Sequence, residues 1–144
     1  MIGELLRNPN AARVRAVERG FAEAGHPAIR QPHLPVLEYI DRDRGSRITY
    51  LASHANVTPQ SMGEVIDHLV ANGYVERVRD PSDGRARLIK LTDLGDKAYS
   101  TAVQIVTSLE SSWAEQLGER KMVQLKRLLA ELWDSIQPAL PQDR

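Results

Sequence analysis

Two groups of side chains in this sequence have types and spacings suited to chemistry, and the chemistry is recognition. The first is a run of cations, Arg77, Arg79, Arg85, Arg87 and Lys90, packed into 14 residues. That density suits phosphate contacts, and it equally suits a solvated hairpin with charged outer faces. The second is the polar set Gln60, Glu64 and Asp67, with Ser61 and His68 at its margin, which 100° per residue places on one helical face. Short hydrogen-bonding side chains on such a face are able to approach the edges of base pairs. No reactive constellation accompanies them: the sequence has no Gly-rich phosphate loop and no nucleophile elbow, and its four histidines (His26, His33, His54, His68) lack metal-ligand spacing. The absence of cysteine removes disulfides, thiolate zinc sites, iron–sulfur ligation and thiol redox sensing together. The expectation is therefore not an enzyme, with no cofactor and no metal.

The elements that would hold these groups are legible as stripes and caps. Val14, Val17 and Phe21 predict a helix over residues 10–24, ended by Gly25 and Pro27. Leu34, Val36, Leu37 and Ile40 predict a shorter one over 33–42, with 41–46 as its polar exit loop, and Ile48 to Ala55 a third. At Asn56-Val57-Thr58, Asn suits a left-handed C-cap, Thr an N-cap and Pro59 the first helical position, so a fourth helix begins there and runs to Asn72-Gly73. Its Met62, Val65, Ile66, Leu69 and Val70 form an unbroken apolar stripe, of which Met62, Val65, Ile66 and Leu69 are read as core.

Tyr74–Arg79 and Arg87–Leu91 read as strands around a turn at 80–84. Thr92 caps a long helix carrying Ala98, Ala102, Ile105, Val106, Leu109 and Trp113, which Gly118 breaks. A last helix from Glu119 to about Ile136 buries Met122, Leu125, Leu128, Leu129, Leu132, Trp133 and Ile136, until Pro138 and Pro141 end regular structure. The order is that of a winged helix-turn-helix, mainly α with a small β-hairpin wing and flanked by N- and C-terminal dimerisation helices. Residues 1–32 form the N-terminal helix, 33–93 the nucleic-acid-binding lobe and 94–144 the C-terminal helices.

Composition sets the outer bounds. The 144 residues suit one domain, and 42% apolar with 26% charged residues is too hydrophobic for a disordered polymer. No apolar run approaches the ~20 residues of a membrane span, and the N-terminus lacks a signal-peptide core, so a cytoplasmic protein with no membrane partner is expected. Nineteen cations balance nineteen anions, yet residues 77–90 hold five basic and two acidic groups, and 31–76 hold three and six. The zero is a cancellation between segments.

With these elements in place, the stretch Gly73-Tyr74-Val75-Glu76-Arg77, then Asp80-Pro81-Ser82-Asp83-Gly84-Arg85, then Leu91-Thr92 and Gly95, resembles the wing pattern of the MarR family of bacterial regulators. Leu51-Ala52 and the Asp67-to-Leu69 step also fall where that family places them, and the resemblance covers nearly the whole chain. It implies a homodimer on double-stranded DNA, acting as a transcriptional regulator, a repressor, on a pseudo-palindromic operator. The helix from Thr58 would enter the major groove, with Thr58, Pro59, Gln60, Ser61, Glu64 and His68 at the DNA, while Arg85 reaches the minor groove and Arg77 and Arg87 meet phosphates.

Beside those roles stand plainer ones. Asp83 orients Arg85, Asp67 reads first as an ion-pair partner, and Arg77 either meets phosphate or anchors the wing. His68 is also readable as an ordinary surface histidine. Glu64 departs from the basic or neutral residue frequent in the family; an acidic group there is able to accept a hydrogen bond from cytosine N4 but repels phosphate. Small-molecule effector control stays open, with His33, Tyr39 and Trp113 either lining a pocket or serving as core and interface. The rival readings are a protein-binding winged helix and a ligand-independent regulator.

Overall fold

The computed structural model describes residues 1–137. Six helices and one hairpin follow in the order α1 (Ile2–Glu23), α2 (Leu34–Tyr39), α3 (Ile48–Ala55), α4 (Pro59–Ala71), β1 (Val75–Asp80), β2 (Asp83–Leu91), α5 (Asp93–Leu117) and α6 (Glu119–Ile136). The expectation that Pro138 and Pro141 end regular structure falls outside the described residues. No described helix is long and apolar enough to cross a membrane.

α1 begins eight residues before its expected start and carries Pro9 within it. The Asn8-Pro9-Asn10 step reads as a boundary because proline removes an intrahelical bond. The helix nevertheless runs through it, and Ile2, Leu6, Pro9, Arg13 and Val17 recur at three and four, so the stripe is continuous across the proline. α2 is shorter than expected at both ends. A 3₁₀ turn over Gln31–His33 precedes it, and after Tyr39 the backbone of Ile40 is extended. There Asp41 Oδ1 accepts the N–H groups of Asp43 and Arg44, a local competitor that helix continuation does not survive.

The helix-turn-helix joint forms as its caps dictate. Asn56 adopts the left-handed conformation (φ 56°) at the end of α3, and Thr58 Oγ1 accepts the Ser61 N–H at 3.1 Å to open α4. Met62, Ile66 and Leu69 of α4 are buried against Val17 and Phe21 of α1, Val36 and Leu37 of α2, Leu51 and Ala52 of α3, and Ile89 of β2, making one core beneath the polar face.

The wing differs from its expected form. β2 starts four residues early, at Asp83, because Asp80 Oδ1 accepts both the N–H and the hydroxyl of Ser82 and closes the turn around Pro81 and Ser82. The antiparallel register steps from Arg79↔Arg87 to Asp80↔Asp83, leaving Gly84, Arg85 and Ala86 as a bulge with no opposite residues. Ser46 adds a short third edge, exchanging backbone bonds of 2.9 and 2.8 Å with Ile89.

At the other end of the wing, the Thr92 N–H donates to the Tyr74 carbonyl and the Thr92 hydroxyl to the Gly73 carbonyl, while Thr92 Oγ1 accepts the Gly95 N–H. A Cβ on Gly95 would collide with the Tyr74 carbonyl, so the glycine lets α5 start directly against the strand. This is the physical content of the Leu-Thr-x-x-Gly spacing. The last helix is the main departure in burial. α6 packs on α5, tied by the Lys126–Glu110 ion pair at 2.7 Å, and buries Met122. Leu125, Leu128, Leu129, Leu132, Trp133 and Ile136, expected to be buried, are exposed in the single chain.

Candidate nucleic-acid interface

The amphipathic stripe of α4 turns its other side outward, and Thr58, Pro59, Gln60, Ser61, Glu64, Asp67 and His68 are all exposed. The first turn leaves backbone N–H groups free to meet an anion, with one of them satisfied by Thr58. The Thr58 hydroxyl also donates to Ser61 Oγ at 3.0 Å, which fixes the two side chains relative to one another.

Beside α4 stands the wing, whose four arginines divide into two sets. Arg77 Nη2 donates to Asp67 Oδ1 at 2.6 Å, so this ion pair ties β1 to α4; that is the anchoring role, and Asp67 takes the partner role expected of it. Arg79, Arg85 and Arg87 form no ion pair among the described residues and are exposed. Arg79 and Arg87 face each other directly across the ladder, an arrangement of like charges that costs stability unless an anion lies near.

A residue that spacing did not reveal holds the wing to the body. Arg47, at the N-cap of α3, donates from Nε and Nη2 to Asp80 Oδ2 at 3.1 and 2.8 Å. Bonds from Ser82, with the Arg47 guanidinium, hold the buried Asp80 carboxyl at about 2, below the usual carboxylate range. Asp83 meets Arg85 through the backbone. Its Oδ1 accepts the backbone N–H of Arg85 at 3.1 Å, and its Oδ2 lies 3.9 Å from Arg47, so it shapes the chain at Arg85 and leaves the guanidinium alone. A side chain that short, two residues away, closes a backbone turn more readily than it reaches a long side chain's end.

His68 is drawn toward the protein body. Its ring stacks on that of His33, with centroids 4.5 Å apart and an interplanar angle of 8°. His33 is buried, and its Nδ1 accepts the Arg30 N–H at 2.9 Å. Burial, reinforced by His68 and opposed by Glu18, lowers the His33 pKa to about 4.

The three residues expected to line an effector pocket do not meet in one. His33 lies under His68, exposed Tyr39 packs beside the His54 ring, and Trp113 sits half-buried farther along α5. A cavity of about 220 Å³ lies instead between α1, α2 and α5, lined by Val17, Leu34, Leu37, Ala102, Val103 and Val106 together with Tyr99, Thr107, Arg13 and Glu38. Arg13 Nη1 donates to Glu38 Oε1 at 3.2 Å. These apolar positions follow the same rhythm as core, which is why sequence periodicity did not separate them; the one signal was an arginine within the α1 stripe. Among the described residues no three His, Cys, Asp or Glu side chains gather to hold a metal.

The comparisons with known proteins agree with this geometry. The MarR family profile matches residues 29–86, from the loop before α2 to the wing. The HTH-type transcriptional regulator FarR of Neisseria gonorrhoeae is 35% identical over 82 residues, 57% of this chain and 56% of its own length. The HTH-type transcriptional repressor Rv2887 of Mycobacterium tuberculosis is 30% identical over 101 residues, 70% of this chain and 73% of its own.

Among solved structures, the transcriptional repressor CouR bound to a 23-mer DNA duplex superposes with a TM-score of 0.76 at 25% identity, covering 92% of both chains. Rv2887 in complex with salicylic acid superposes at 0.69 and 27%, covering 92% of this chain and 96% of that one. The aligned region thus spans about half of the gonococcal relative and nearly three quarters of the mycobacterial one. On these matches and on the winged helix-turn-helix they share, this chain belongs to the MarR family.

Proposed function

We propose that the protein is a sequence-specific, DNA-binding transcriptional repressor that acts as a homodimer on a pseudo-palindromic operator and is released by a small aromatic or phenolic ligand. The observation that carries the DNA reading is the placement of three unpaired, exposed guanidinium groups, Arg79, Arg85 and Arg87, on a wing beside the uncluttered polar face of α4. In that reading α4 enters the major groove with Gln60, Ser61 and Glu64 foremost, and Thr58, Pro59 and the first-turn N–H groups meet the backbone. Arg85, on its bulge, takes the minor groove, and Arg87 a phosphate. The Asp67 pair occupies part of Arg77's donor set, so its phosphate contact would be secondary. His68 would serve through its stack on His33.

The homodimer reading rests on the apolar side chains of α1 and α6 that one chain leaves exposed, Ile2, Leu5, Leu129 and Trp133 among them. The division into a central reading lobe and terminal pairing helices follows from it. The effector reading rests on the cavity between α1, α2 and α5. Its volume falls below the roughly 300–1,000 Å³ of most ligand pockets, so it suits a one-ring molecule. Such a ligand would act only by favouring one spacing of the two reading lobes, because a dimer must match half-sites one DNA turn apart.

The test is genomic footprinting of the purified protein across a salt series, with and without candidate aromatic acids. Discrete protected palindromes, weakening by about 0.9 log units per log unit of salt for each neutralised phosphate, are expected. Binding that is flat with salt, or confined to protein partners, would overturn the reading.

A further inference from the structure

α4 presents two carboxylates, and the structure treats them differently. Asp67 is committed to Arg77 at 2.6 Å. Glu64 is exposed and has no cationic partner among the described residues, although it sits between Gln60 and Ser61 on one side and His68 on the other, in the middle of the outward face. An unneutralised carboxylate there is repelled by every phosphate that α4 approaches, and water-filled grooves do not screen charges closer than about a Debye length of 10 Å. A hydrogen-bond donor on a base edge offsets that repulsion.

Along the major groove the bases offer two donors, the amino groups of cytosine and adenine. Adenine sets its N7 acceptor beside the amino group, against the second carboxylate oxygen; cytosine brings no such acceptor of its own. We propose that Glu64 is a specificity-determining residue that selects a cytosine in each half-site through its N4 amino group. The proposal rests on the DNA-binding reading above. Gln60 lies one turn earlier, about 6 Å along the axis, against a base-pair rise of about 3.4 Å. The selected cytosine therefore falls one or two base pairs from the pair that Gln60 meets.

Selection from random duplexes at one fixed salt concentration, run with the wild-type protein, Glu64→Gln and Glu64→Ala, tests this. Because Glu64 is exposed, neither variant removes a buried contact. The wild type should return one C·G pair held at the same place in both half-sites, preferred by roughly tenfold over the other pairs. Glu64→Gln should move that position toward adenine. Glu64→Ala should lose the preference there, keep every other position, and bind unrelated duplex more tightly than the wild type. The proposal is overturned if all three proteins return the same half-site, or if Glu64→Ala weakens binding to every duplex alike. A wild type that returns no sequence overturns the DNA-binding reading and this proposal with it; a half-site unchanged by the variants sinks the Glu64 assignment alone.

Discussion

Arg85 and His33 show how differently two side chains of one lobe are used. Arg85 stands on the wing's bulge with its backbone pinned by Asp83 and its guanidinium unpaired. Removing it should cost little stability and about 1–3 kcal/mol of operator affinity; Arg85→Ala is checked by dissociation constants at matched salt, and an unchanged constant sinks the minor-groove role. His33 has the opposite character, being buried with a pKa of about 4 against an ordinary 6.5. The unfolded chain takes up a proton as pH falls through 6.5 while the folded chain resists until about 4, so stability present above 6.5 is lost progressively across that interval. Urea midpoints measured between these values should fall for the wild type and fall less for His33→Gln. Equal slopes would show that the ring is not the group responsible. Neither the stack with His68 nor this depressed pKa was visible in sequence, because a contact 35 residues apart leaves no periodic trace.

Elements built from local signals were the readable ones. Asn56, Thr58 and Thr92 took their capping positions because each acts on backbone within three residues of itself. The α4 stripe gave the buried face at Met62, Ile66 and Leu69, though not at Val70, which is exposed, and by subtraction it gave the outward polar face. What escaped was the fastening of one element to another. The Arg47–Asp80 pair joins residues 33 apart and the Ser46–Ile89 bridge joins residues 43 apart, and their residue types fit an ordinary exit loop equally well. The cavity escaped for a related reason, since its walls come from three helices whose apolar positions look like core. Asp80, bonded by Arg47 and Ser82 together, is the buried fastening of the wing's tip. Asp80→Ala should leave the helices folded and loosen the hairpin, so trypsin should cut at Arg79, Arg85 or Arg87 faster than in the wild type. Equal cleavage rates would mean that the ladder, the Arg77–Asp67 pair and the Ser46–Ile89 bridge hold the wing without Asp80.

For the whole molecule, the balance of charges and the uncovered helices point the same way. In the proposed reading, a chain with no net charge has little long-range pull on bulk DNA, so affinity comes from a few placed cations, presented twice by a dimer. Presentation in duplicate needs the apolar faces of α1 and α6 to find a second copy. Leu129 is 41% exposed in the single chain, and Leu129→Glu should yield monomers by sedimentation at micromolar concentration and abolish binding to a two-half-site operator. A wild type that already sediments as a monomer, or a variant that stays dimeric, would defeat this assembly.

The bulge at Gly84–Ala86 has a bearing on how such a regulator changes its target. Below it, Leu88 and Ile89 are buried and keyed to β1, so their register cannot slip without exposing the core. Above it, Asp80 and Asp83 close the hairpin independently. The segment bearing Arg85 lies between two fixed points and opposes nothing, so residues added or lost there alter the arm's length while both anchorages stay put. The reach of Arg85 is thereby a dimension of the molecule that can change while the anchorages on either side keep their register.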